Sequence, residues 1–320
     1  MQIFRIRAFR QVVLSLVLVL VYCVSMLTFV PISRFSYIKA FSSKETKLKA
    51  DQDSLKIVFV GGSSLVYGVH SDLVQQSFPK FKVHNMGLHA GIGLKTMLDQ
   101  VLPYIGQGDV IVVTPEYEQF ISMFYGNSSG NYLEAVIDQP RYLKELDFRS
   151  LPPLIEAIPS SVHNRIKHVV KLILGKDVDH SIYSGEAFNS YGDMIRHKHF
   201  TSTKLAKDEY KGVSYDGVQF KQAEAALNYL QEFEDTVSGL GVTVLFAYPP
   251  MMKSVYDDSK PELAKFHHQL LNKGFTVLYP PQYSVFDNSI FLDTSYHLLY
   301  SSGITRTEAL IDKMGKYIDG

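Results

Sequence analysis

The chain has 320 residues, with 32 basic and 32 acidic side chains, 46% hydrophobic residues and a single cysteine. Zero formal net charge gives no support for a nucleic-acid partner, and a lone cysteine excludes an internal disulfide framework. No internal repeat or low-complexity tract indicates a solenoid or a disordered tail.

From Val12 to Val30 the sequence is almost wholly apolar, interrupted by Ser15, Tyr22, Ser25 and Thr28. That is about the length a helix needs to cross a hydrocarbon core. Residues 1–33 therefore read as a cytoplasmic stub and a signal anchor, with residues 12–30 in the lipid bilayer. Arg5, Arg7 and Arg10 precede the run, and positive charge favours the cytoplasmic side, so everything after Pro31 is expected in the periplasm or outside the cell. A cleaved signal peptide is the other reading, although no small-x-small site follows the run. Cys23 lies inside it, and Tyr22 before it argues against lipoprotein cleavage; it reads as an ordinary membrane residue. Residues 34–55 are polar and read as a linker. About 265 residues then remain for one large domain with an insertion.

From residue 56 onward, apolar runs with β character alternate with amphipathic stretches. Strands are predicted at Lys56–Val60, Phe81–His84, Asp109–Thr114, Val242–Tyr248 and Phe275–Leu278, and helices at Leu65–Gln76, Gly93–Ile105, Phe220–Ser238, Pro261–Lys273 and Gly303–Ile318. This is the pattern of an α/β fold with a parallel sheet covered on both faces. Functional loops in such sheets gather at the carboxyl ends of the strands. Between about 120 and 217 the alternation breaks down into Gly, Asn, Ser and Pro clusters with an amphipathic segment at Val162–Leu174. This stretch reads as an insertion over the site, a lid or acceptor-binding region, or else a structural excursion without substrate contact.

Three short segments carry chemistry. Val58-Phe59-Val60-Gly61-Gly62-Ser63-Ser64 places a hydroxyl at a strand-to-helix turn. Asp293-Thr294-Ser295-Tyr296-His297 puts an acid and a base in one loop, and Asn85-Met86-Gly87 ends a second strand where a backbone N–H can face an oxyanion. A serine hydroxyl is a weak nucleophile unless a base accepts its proton and a carboxylate orients that base. Serine and glycine also cap helices for reasons unrelated to catalysis, so the joint placement of the three segments is what matters. A dinucleotide site or P-loop does not fit, because Gly61-Gly62 lacks the required glycine spacing and a Lys-Ser/Thr pair.

In this arrangement the chain resembles the SGNH or GDSL-like hydrolase superfamily. The resemblance implies a three-layer α/β/α, flavodoxin-like domain over residues 56–320. In it Ser63 is the nucleophile, Asp293 and His297 the acid and base, and the amides of Ser63 and Gly87 form an oxyanion hole. Gly61-Gly62-Ser63-Ser64, Phe188 to Asp193 and Asp293 through Leu298 look more narrowly like a membrane-anchored branch found with bacterial exopolysaccharide assembly. That branch implies an O-acetyltransferase or acetyl esterase acting on a polysaccharide or other acylated glycan. A transferase outside the cytoplasm would need a multi-spanning membrane acyltransferase to deliver the acyl group. No cofactor and no metal are implied.

The chain departs from the superfamily pattern at three points. Gly62 stands where an aspartate is usual, the Asp-to-His spacing is one residue longer, and the block that normally supplies an oxyanion asparagine is Val113-Thr114-Pro115-Glu116-Tyr117-Glu118. The competing function is a non-catalytic, membrane-anchored polysaccharide-binding or assembly protein on the same fold.

Glu116 after the third strand reads as a residue that lines the pocket and positions substrate, while Pro115 argues against a glycosidase-like carboxylate pair with Glu118. Asn189, Tyr191 and Asp193 read as sugar-site residues or as a plain turn, and Tyr248, before Pro249-Pro250, as a rim of the site or a sharp strand exit. The histidines at 197, 199, 267 and 268 lack the companion ligands of a metal site. Ser64 is an alternative nucleophile one residue on.

Overall fold

The computed structural model describes residues 2–144, 146–176, 181–201, 215 and 220–318. Strands β1 (Lys56–Gly61), β2 (Lys82–Asn85), β3 (Val110–Thr114) and β4 (Thr243–Phe246) form a parallel sheet in the order β2-β1-β3-β4. In register, Val58 lies opposite both His84 and Ile111, and Val112 opposite Leu245. The predicted fifth strand is reduced to one parallel bridge between Phe246 and Val277. The order of addition reverses between β1 and β3, and a doubly wound sheet opens its crevice at such a reversal.

The strands read as continuous apolar runs because both faces are covered. Val58, Val60, Ile111 and Val113 face one core, which holds residues of α2 (Lys39–Ala50), α5 (Leu94–Val101), α9 (Glu224–Ser238) and α10 (Lys253–Asn272). Ile57, Phe59, Val110 and Val112 face the other, filled from α3 (Ser63–Gly68), α4 (Ser71–Ser77) and α11 (Tyr300–Ile318). The helix predicted at Leu65–Gln76 is thus two helices. The chain turns extended at Val69, with φ −121° and ψ 134°, before α4 begins. A two-residue parallel pair, β5 (Met251–Met252) with β6 (Val285–Phe286), lies outside the main sheet.

The N-terminal helix α1 (Gln2–Phe29) has a 21-residue stretch, Phe9–Phe29, of mean hydropathy 2.7 with no buried residue. It is long and apolar enough to cross a membrane. Its C-terminal end meets α8 (Leu151–Ile173), where Arg165 donates to the Val30 carbonyl and pairs with Glu134 at 2.6 Å.

Residues 34–55 do not form the expected linker. They carry α2, whose Phe41 and Leu48 are buried in the core. Its polar composition conceals a buried role for Lys44, whose ammonium donates to the carbonyls of Asn85 at 2.9 Å, Gly192 at 2.8 Å and Gly87. The expected insertion contains α6 (Glu118–Ile121) at its edge, α7 (Asn131–Asp138), α8, and a segment at 181–201 closed by an antiparallel bridge from Phe188 to Met194. The amphipathic segment at Val162–Leu174 belongs to the end of α8. Residues 145, 177–180, 202–214 and 216–217 of the expected insertion lie outside the described residues.

Candidate active site

β1 delivers Ser63 to the first position of α3. Its backbone N–H is one of the first four of a helix, which have no intrahelical acceptor. A larger residue at Gly62 would require the Glu116 side chain to move. A Cβ there would lie 2.6 Å from Glu116 Oε1 and 2.7 Å from the Glu116 carboxyl carbon. Glu116 therefore occupies the space that a side chain at position 62 would need.

The loop from Asp293 to His297 is short but clamped. Thr294 Oγ1 accepts from the N–H groups of Tyr296 (3.2 Å) and His297 (3.1 Å), and Leu292 N–H donates to His297 O at 2.8 Å. This closure accommodates the extra residue between acid and base. It brings His297 Nδ1 to 2.8 Å from Asp293 Oδ1 and His297 Nε2 to 2.8 Å from Ser63 Oγ. The imidazole is buried and stacks on Tyr67, with ring centroids 4.1 Å apart and planes 17° from parallel.

Asp293 is further held by the Tyr183 hydroxyl, which donates to its Oδ2. Desolvation pushes the Asp293 carboxyl upward, but the hydrogen bond and charge of His297 and the Tyr183 hydroxyl outweigh it, leaving the group below its ordinary range. An ionised carboxylate thus orients a base that contacts a hydroxyl, the arrangement that lets serine attack a carbonyl carbon. His89 and His197 stand close enough to feel His297. Burial, first, pushes each down to about 4, so both are neutral near pH 7.

Ser64 is not placed to replace Ser63. It is fully buried, its Oγ lacks a hydrogen-bond partner, and its N–H donates to Glu116 Oε1 at 2.8 Å. The same carboxylate oxygen lies 2.9 Å from Ser63 Oγ, so Glu116 touches the Ser63 hydroxyl itself.

No protein-family model matches the chain, and no curated protein matches it. The geometry of the site is therefore what supports a functional reading.

The remaining expected site residues are placed elsewhere or otherwise engaged. Gly87 packs against α3, where a Cβ would lie 2.5 Å from Leu65 Cβ, but its N–H donates to Asn85 Oδ1 at 3.0 Å and is not a free oxyanion donor in this conformation. Asp193 accepts from Ser71 Oγ (2.6 Å), Ser71 N–H (2.9 Å), Asn85 Nδ2 (2.9 Å) and Asn189 Nδ2 (3.1 Å). Asn189 Oδ1 in turn accepts the N–H groups of Tyr191, Gly192 and Asp193. These side chains lock loops together because a buried carboxylate needs donors on all sides. Tyr191 lines a separate depression of about 550 Å³ with Lys47, Asp51 and His84. Tyr248 is not a rim residue: it is buried, its hydroxyl meets His267 Nδ1 at 2.9 Å, and its ring stacks on Tyr117.

Sequence reasoning missed Tyr67 and Tyr183. Tyr67 had a signal, since it lies four residues after Ser63 and so on the same helix face. Tyr183, in a loop of no periodicity, had none.

Proposed function

We propose that the chain is a membrane-anchored serine acyl-transfer enzyme of the SGNH or GDSL-like type, and that it works on an acylated polysaccharide outside the cytoplasmic membrane. The relay from Asp293 through His297 to Ser63, with both contacts at 2.8 Å, carries this reading. The sheet order and the placement of Ser63 after β1 and Glu116 after β3 agree with a flavodoxin-like SGNH domain. The apolar helix α1 supports a single-pass anchor. The arginines before it favour a cytoplasmic N-terminus and a site in the periplasm or beyond.

In the proposed reaction His297 Nε2 takes the Ser63 proton as Oγ bonds to an ester carbonyl carbon, and the carbonyl π pair moves onto its oxygen. Collapse expels the alcohol, which leaves with the proton from His297, and an acyl-Ser63 remains. A second hydroxyl repeats the steps in reverse: water makes the protein an esterase, and a sugar hydroxyl makes it an O-acetyltransferase supplied by a multi-spanning membrane acyltransferase. A second reading, the non-catalytic glycan-binding protein, draws on the engaged Gly87 N–H and on the carboxylate beside Ser63.

Full-length protein in detergent micelles with p-nitrophenyl acetate separates the two. Acyl transfer requires turnover that disappears in His297→Ala. Turnover equal in wild type and variant favours the binding protein.

A further inference from the structure

Glu116 has no part in the scheme above, yet it touches the nucleophile. Ser63 has one hydroxyl proton and two neighbours that compete for it: His297 Nε2 at 2.8 Å and Glu116 Oε1 at 2.9 Å. When the proton points at His297, as attack requires, the short contact between Ser63 Oγ and Glu116 Oε1 needs a proton of its own. Glu116 is the group that can carry it. When Glu116 is ionised, the Ser63 proton points at Glu116 instead. With one proton gone from the site, His297 keeps its Nδ1–H on the Asp293 carboxylate, and Nε2 faces Oγ with no proton between them. A base that the serine proton does not face cannot take that proton as Oγ attacks. One proton on Glu116 therefore distinguishes a competent site from a locked one.

We infer that Glu116 is a catalytic residue in its neutral form, donating its O–H to Ser63 Oγ at rest and to the substrate oxyanion as charge builds there, and that its ionisation switches the site off. This rests on the acyl-transfer reading. During acylation Glu116 keeps its proton, and its hydrogen bond moves from Ser63 Oγ to the carbonyl oxygen that receives the π pair. The proton transferred is that of Ser63, to His297. Glu116 thereby supplies the donor that the expected asparagine would have given, at a site where the Gly87 N–H is turned onto Asn85. A carboxylic acid kept neutral by an apolar setting is an effective donor to developing negative charge.

The surroundings favour the neutral form. Glu116 is 6% exposed, pressed against Gly62, with its own N–H held by Gln119 Oε1 at 3.0 Å. Burial and then the charge of Glu118 raise its pKa, against the lowering effects of His297, the Ser64 N–H and the Ser63 hydroxyl. Tyr37, before α2, and Tyr296, beside His297, also face it and feel its charge. Glu118 is itself tied to the hydroxyls of Tyr215 and Tyr296, which keep its charge near Glu116.

The test is the pH profile of Ser63 acylation by p-nitrophenyl acetate in the full-length protein, read by intact mass and burst rate. Wild type is expected to lose rate tenfold per pH unit on the alkaline side. Glu116→Gln, which keeps a donor but cannot ionise, is expected to abolish that decline. Glu116→Ala is expected to lose about 10²–10³-fold where the wild type is fully active, without an alkaline decline of its own. Glu118→Gln leaves Glu116 in place and removes the charge that raises its pKa, so the decline is expected to begin at lower pH. An alkaline decline that survives in Glu116→Gln, a Gln variant as impaired as Ala, or an unmoved profile in Glu118→Gln would overturn the inference while leaving the triad intact. No Ser63 adduct in wild type at any pH would remove the acyl-transfer reading and the inference with it.

Discussion

Two polar clusters that both contain a serine and an aspartate flank α3. At its start are Ser63, His297 and Asp293; beyond its end are Ser71, Asp193, Asn85 and Asn189. In the second cluster Ser71 Oγ lies directly on the Asp193 carboxylate at 2.6 Å, and each carboxylate oxygen has two donors. With both carboxylate oxygens engaged and no imidazole between acid and hydroxyl, the cluster holds loops together. In the first cluster an imidazole is interposed, and the serine proton has somewhere to go. Serine and aspartate become chemistry only through the group between them.

The difference can be broken most severely at the nucleophile. Ser63→Ala is expected to lower kcat by on the order of 10⁶-fold with an unchanged melting temperature, measured by ester turnover and thermal unfolding. Asp293→Asn, which would leave the imidazole in the wrong tautomer, is expected to cost about 10⁴-fold in kcat. In the structural cluster the expectation reverses. Asp193→Ala leaves buried donors on Ser71 and Asn85, and a half-buried one on Asn189, without that acceptor, and is expected to destabilise the fold by roughly 3 kcal/mol or more in denaturant unfolding. Any folded fraction should keep its turnover.

The smallest effect belongs to Tyr183. Tyr183→Phe removes one hydrogen bond from Asp293 and is expected to cost about 1 kcal/mol, roughly fivefold in kcat/KM. That hydroxyl lowers the Asp293 pKa, so its removal raises it. Asp293 is then protonated at higher pH, and the acid limb of the rate profile moves upward, which kinetics across pH will show.

Much of this was legible in the sequence. The strands announced themselves because a sheet buried on both faces needs continuous apolar runs, and Ser63, Asp293 and His297 because a relay needs those three types at strand ends and in loops. What stayed hidden depends on long-range contacts. Lys44 and Glu45 gave residues 34–55 the look of a solvated linker. Burial of Lys44 is possible only because three carbonyls, from Asn85, Gly87 and Gly192, converge on it. Asn189 and Asp193 have the composition of either a sugar site or a turn, and only their partners decide for the turn. The tie between Gly62 and Glu116 appears when β1 and β3 lie side by side with Gly61 opposite Thr114, a pairing no local pattern specifies.

The most direct test of the account is to map the acyl group. Full-length protein is incubated with p-nitrophenyl acetate, quenched in acid, digested and sequenced by mass spectrometry. One acetyl group is expected on Ser63 in the wild-type protein, absent from Ser63→Ala and His297→Ala. Wild type without acetyl on Ser63, or acetyl that accumulates there equally in His297→Ala, would contradict it.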